Sequence, residues 1–191
     1  MALSDGMGTG ESASEESERV IELLEQMAEA GFSESSAIGL INSMYLSDEE
    51  KRGFATADIA VFNLYQKTCQ FLKCGASTTY LCHEGGMELI EGEALPIGVV
   101  QDAAPYMTKT GINAGDYVIM MTDGVADTFS MEEYELEHLI WEYCRKKMNP
   151  QELAESILDE AVKRWDGEPG DDMSVMVVAF YASSGQGEKK Y

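Results

Sequence analysis

Basic residues are scarce in this chain. Its 191 residues hold 13 Lys and Arg against 35 Asp and Glu, a formal net charge of −22. With no basic patch to neutralise phosphates, nucleic acid is not an expected partner. The same deficit argues against direct contact with an anionic membrane surface. Cysteine and histidine are also few, at four and two. Cys69, Cys74, Cys82 and Cys144 form no Cys-x-x-Cys pair, and His83 beside Cys82 has no second cluster to join. A zinc site is therefore not expected. The cysteines read as reduced thiols, mostly packing residues, in a cytoplasmic chain. No apolar run approaches the length of a membrane span, and no signal peptide is expected.

What is present is ordinary globular composition, with 45% hydrophobic residues over a length that suits one domain. Apolar residues at helical spacing (Val20, Leu23, Leu24, Met27) predict a helix over 12–30, capped by Ser12 or Ser14 and ended by Gly31. A second helix is predicted over 34–45, with Ser33 as cap and Ala37, Ile38, Ile41, Met44 and Tyr45 on one face. The texture then turns to strands. "FATADIAVFNLYQKTCQFLKCG" predicts two strands joined at Tyr65–Lys67, and "STTYLCHEGGMELIE" a hairpin turning at Glu84–Gly86. "APYMTKTGI" and "DYVIMMTDG" predict two more, joined by Asn113–Ala114–Gly115. Two helices follow over 131–148 and 150–165, with Pro150 in a first turn, and then a buried last strand in "DDMSVMVVAFYA". This order is α+β, with mostly antiparallel sheet flanked by helices. A domain over 1–182 and a flexible polar tail over 183–191 are expected.

Three acidic stretches stand out: "LSDGMG" with Asp5, "IMMTDGVAD" with Asp123, and "GEPGDDMSVMVV" with Asp171 and Asp172. Each sets an Asp at the end or start of a strongly apolar strand. Any one alone reads as a turn Asp. Three in this order, with these flanks, point to carboxylates converging on a fixed point. Clustered carboxylates repel one another and lose solvation on burial, and a hard divalent cation relieves both costs. The motifs hold only oxygen donors, which selects magnesium or manganese over zinc. Asp58 reads as a strand residue pointing into or near this site. Gly75 and Ser77 read as hairpin-turn residues, Asp127 as a solvated loop residue, and Met120 and Met121 as core.

"SDGMGTGE", "FATADIAVFNL", "FLKCGAS", "LPIG", "AGDYVIMMTDG" and "DDMSVMVV" occur in that order from Ser4 to about Tyr181. Together they resemble the metal-dependent serine/threonine protein phosphatases of the PPM or PP2C-like family, and within it the stage II sporulation protein E type. The resemblance implies a β-sandwich flanked by helices, with two Mn²⁺ or Mg²⁺ ions bridging a water. It implies that Asp5 bridges both ions, that the Gly6 carbonyl assists at one of them, and that Asp123 and Asp171 hold the other. Asp172 stands where many relatives carry Asn, and it is expected to orient its neighbour.

The resemblance further implies a phosphoserine substrate on an anti-sigma-factor antagonist, whose dephosphorylation releases a sporulation sigma factor. It leaves a homodimer open. Full-length relatives carry an upstream membrane-spanning region. The family also builds strands before its first Asp-Gly, bearing another acidic motif. Only Met1–Leu3 stand there in this chain, so those strands are expected to be missing. The alternative is a non-catalytic PP2C-like binding or regulatory module.

Overall fold

The computed structural model describes residues 1–6, 8, 11–47, 53–101, 104–129, 134–165 and 171–182. The tail assigned to 183–191 and the predicted helix start at Met131 lie outside the described residues.

Strand alternation sorts the apolar side chains into three layers. One sheet runs in the order β1 (Ala2–Leu3), β2 (Ala57–Asn63), β3 (Thr68–Cys74), β6 (Tyr106–Gly111). The other runs β5 (Gly86–Ile90), β4 (Thr79–His83), β7 (Tyr117–Met121), β8 (Val175–Ala179). Every pairing in both is antiparallel. Ala60, Phe71, Leu81, Val118 and Met120 form the core between the sheets. The intervening residues point the other way. Ala57, Ile59 and Leu72 pack against α1 (Glu11–Glu29) and α2 (Glu34–Ser47). Tyr80, Ile119 and Met121 pack against α4 (Glu135–Arg145) and α5 (Pro150–Arg164). This is the expected α+β sandwich with helices outside both sheets.

Most predicted elements form where pattern and punctuation place them. Gly31 takes φ +83 after α1, and the Phe32 N–H reaches back to the Met27 carbonyl. The Ser33 hydroxyl accepts from the Ser36 N–H, and Pro150 opens α5 behind an Asn149 cap. Three readings need correction. Helix α1 begins at Glu11, so neither Ser12 nor Ser14 stands at its cap. Met44 is 42% exposed, because the buried face of α2 runs through Ala37, Ile38, Ile41, Asn42 and Tyr45. The last strand, β8, is a half-buried edge strand and not a buried one. The two strands joined through Asn113–Gly115 form as expected and lie in different sheets: β6 pairs with β3, whereas β7 inserts between β4 and β8.

Asn42 is the one polar side chain in the buried face of α2. Its amide donates to the Val100 carbonyl at 3.0 Å and accepts from the Gly98 N–H at 2.8 Å, tying α2 to the 97–100 loop. Asn42→Ala would leave the buried Gly98 N–H without its partner, whereas the Val100 carbonyl, on an exposed residue, can turn to water. At about 1–3 kcal/mol for one orphaned buried group, a loss of roughly 1–3 kcal/mol is expected in urea unfolding.

Candidate functional site

The chain ends of both sheets meet on one side of the sandwich. Asp5 follows β1, where Leu3 pairs with Asp58 of β2. The main chain of Asp5 is fixed on Thr56: the Asp5 N–H donates to Thr56 Oγ1 at 2.9 Å, and the Thr56 N–H donates to the Asp5 carbonyl at 2.8 Å. Ser4 Oγ donates to the Thr56 carbonyl at 2.7 Å. Gly6 extends this pairing by bridging Ala55. A Cβ on Gly6 would lie 1.9 Å from the Ala13 carbonyl oxygen, so the start of α1 rests directly on this glycine.

Asp123 and Asp171 come together because β7 and β8 are antiparallel, with Met121 opposite Val175. Asp123 opens the short helix α3 (Asp123–Ala126), just past the end of β7, and Asp171 and Asp172 lie just before β8. Thr122 stitches the two segments. Its N–H donates to the Ser174 carbonyl, its hydroxyl donates to the Asp172 carbonyl at 2.9 Å, and it accepts from the Ser174 N–H at 3.0 Å. Gly124 lets them close up, since a Cβ there would lie 2.5 Å from the Asp172 carbonyl oxygen. Asp172 acts on its neighbour through its main chain: its N–H donates to Asp171 Oδ1 at 2.9 Å.

The structure thus brings Asp5, Asp123, Asp171 and Asp172 into one electrostatic group. Burial first, and then the three neighbouring carboxylates, push the Asp5 carboxyl up to about 6, with the Asp123 carboxyl in hydrogen-bonding reach. Asp5, Asp58 and Asp123 line a small cleft with Leu3, Thr56, Gly75, Ala76, Ser77, Met121 and Thr122. Gly75 and Ser77, read as plain turn residues, therefore border the site. Asp127 lies outside it, exposed in a 3₁₀ turn after α3.

Crowded oxygen donors with no thiol or imidazole among them fit a hard divalent cation. They do not converge on one point as they stand: among the described residues, no three His, Cys, Asp or Glu side chains form a group able to hold an ion. Asp123 Oδ1 and Asp171 Oδ1 are turned back onto the N–H groups of Gly124 and Asp172, each at 2.9 Å. Each keeps its second oxygen free of that contact.

One constellation went unread in the sequence. Asp58 is 1% and Lys73 0% exposed, and they face each other across β2 and β3. Lys73 Nζ donates to Asp58 Oδ2 at 2.7 Å and to Thr79 Oγ1 at 2.8 Å, and Thr79 Oγ1 donates to the same Oδ2 at 2.6 Å. Burial pushes the Asp58 carboxyl up and the Lys73 ammonium down, and their mutual attraction opposes both shifts. The available signal was a charged residue at a core-facing register position of "QFLKC".

The close contacts of Gly124 make it a probe of this geometry. Gly124→Ala has to push the 171–172 segment away from the end of β7. Overpacking of this kind costs about 1–3 kcal/mol, measurable by thermal unfolding. Hydrogen exchange should quicken at the Ser174 N–H and remain unchanged in α1.

Known proteins share this chain's sequence pattern and fold. The family model described as stage II sporulation protein E matches residues 1–181. Stage II sporulation protein E of Bacillus subtilis (strain 168) is 32% identical over 183 residues, covering 93% of this chain and 22% of that protein. The solved structure of the PP2C phosphatase domain and a fragment of the regulatory domain of SpoIIE from Bacillus subtilis superposes with a TM-score of 0.78. It is 31% identical and covers 94% of this chain and 53% of that one. The catalytic domain of the serine/threonine protein phosphatase PstP, solved in complex with 2 manganese ions, shares the fold. Its TM-score is 0.69 at 16% identity, covering 94% of this chain and 86% of that one. The chain spans well under a third of the Bacillus subtilis protein's length and carries its PP2C-like portion: it belongs to the stage II sporulation protein E family.

Proposed function

We propose that this chain is the catalytic module of a metal-dependent protein serine/threonine phosphatase. Its substrate in this reading is a phosphoserine on an anti-sigma-factor antagonist, and its product frees a sporulation sigma factor. The observation that carries the reading is that Asp123 and Asp171 from one sheet both bear electrostatically on Asp5 from the other, where Asp5 and Asp123 line a cleft that also carries hydroxyls. Nothing in that cleft offers a thiol nucleophile.

Asp5, Asp123 and Asp171, with the Gly6 carbonyl, would hold Mn²⁺ or Mg²⁺. When bound, a divalent pair polarises the phosphoryl group and lowers the pKa of a water. The protein's own contribution is position. Thr56 fixes the backbone at Asp5, and Thr122 locks the two segments that carry Asp123 and Asp171. The cleft has a volume near 20 Å³, room for about one water molecule. Family membership and the 2 manganese ions held by PstP, a protein of this fold, support the reading.

The test is hydrolysis of a phosphoserine protein by the full-length protein. Phosphate release should require Mn²⁺ or Mg²⁺, stop in excess EDTA, and be restored poorly by zinc. Asp123→Asn should lower the rate by about 100-fold or more, because it removes a charged ligand. In EDTA the same variant should unfold at an equal or higher temperature than the parent, since it relieves like-charge crowding. Full activity in EDTA would overturn the metal mechanism.

A further inference from the structure

The buried Asp58–Lys73–Thr79 cluster faces the space between the sheets at the end where the cleft opens. Asp58 has two carboxylate oxygens in unequal circumstances. Oδ2 takes two hydrogen bonds, from Lys73 Nζ at 2.7 Å and Thr79 Oγ1 at 2.6 Å. Oδ1 is buried and has no hydrogen-bond partner among the described residues. An unmet carboxylate oxygen in the interior costs several times what a typical hydrogen bond contributes, so it calls for a partner that the chain itself does not supply. Asp58 also lines the cleft, beside Asp5 and Asp123. That cleft is near 20 Å³, enough for one water, and its other polar neighbours are Thr56, Ser77 and Thr122.

We propose that Asp58 is a positioning residue of this site. Its Oδ2 is clamped by Lys73 and Thr79, and its free Oδ1 accepts a hydrogen bond from a water seated in the cleft beside the cation-binding carboxylates. The proposal rests on the metal-dependent reading above. The clamp occupies Oδ2, which leaves Oδ1 as the oxygen available to the water. Acceptors one step removed from a metal orient its shell, and their loss typically lowers metal affinity or activity about 10–100-fold. A purely structural ion pair would have no such effect.

The test separates those roles with two variants and a Mn²⁺ titration by calorimetry. Asp58→Asn alone would strand a buried ammonium, so it is combined with Lys73→Met. In that double variant the amide oxygen still accepts from Thr79, and the amide nitrogen presents a donor where Oδ1 offered an acceptor. Replacing a buried ion pair by neutral groups of similar volume is often neutral or stabilising. Its unfolding temperature in EDTA should therefore match or exceed that of the parent. Its Mn²⁺ affinity should fall about 10–100-fold. Thr79→Val removes one donor to Oδ2 but keeps the Asp58 carboxylate with its Lys73 partner, and should hold Mn²⁺ within about threefold of the parent if Oδ1 is what matters.

Unchanged Mn²⁺ affinity in the double variant would overturn the proposal. So would an equal loss in Thr79→Val, which would make the cluster a packing element. If the Lys73→Met combination does not fold, Asp58→Asn combined with Lys73→Leu is titrated instead and decides by the same criterion. A parent protein that binds no Mn²⁺ would overturn the metal-dependent reading and this inference with it. Parent binding with no effect in the variants would overturn this inference alone.

Discussion

Like charges have to be held together at one end of this sandwich, and much of the local architecture serves that constraint. Carboxylates a few ångströms apart raise one another's cost of ionisation, and the shift of Asp5 to about 6 records it. Side-chain contacts alone cannot hold such a group, because each contact between carboxylates is repulsive. Backbone hydrogen bonds do it instead. Asp5 is fixed by its own N–H and carbonyl on Thr56, and the two segments bearing Asp123 and Asp171 are locked through Thr122. Glycine supplies the close approaches: Gly6 lies under Ala13 of α1, and Gly124 lies against the Asp172 carbonyl. Each anchor is an extension of a strand ladder, so the repulsion is resisted by whole sheets.

The parts of this arrangement that depend on local pattern were legible in the sequence. Asp5, Asp123 and Asp171 follow or precede apolar strands; antiparallel pairing of β7 and β8 gathers Asp123 and Asp171, and the packing of one sheet on the other brings Asp5 to them. The helix ends at Gly31, Ser33 and Pro150 were legible because capping is a matter of neighbouring residues. Sheet membership was not. A short connection such as 112–116 looks alike whether its strands pair or cross between layers, and only β4 and β8 on either side of β7 decide the matter. Helix α3 spans four residues, too few for any period to show. Met44 sits at helical spacing yet points to solvent, because Asn42 takes the core position and answers two backbone groups there.

Lys73 shows the same limit from the other side. One charged residue in an apolar strand is an oddity with no meaning until the register is known. The register puts Asp58 opposite it, and the sandwich puts Thr79 of the second sheet against both. Such a cluster is a poor source of stability. Desolvating two charges costs several kcal/mol each, and their attraction seldom returns more than that, so apolar residues of similar volume would serve a core as well. Its value lies in specificity of position: Thr79 and Lys73 come from different sheets and meet on one oxygen, which fixes the sheets relative to each other beside the cleft.

Two kinds of rigidity therefore coexist at this end of the fold. Main-chain positions are pinned by ladders, threonine hydroxyls and glycine contacts. The carboxylates of Asp123 and Asp171, by contrast, rest on the N–H of the next residue, a contact that a turn about the side-chain bonds can exchange. A carboxylate held by its own backbone neighbour exchanges one local hydrogen bond when it turns, a net cost of about 0.5–1.5 kcal/mol. The main chain at this end is therefore set by the sheets, while the side chains of Asp123 and Asp171 can be reoriented at little cost.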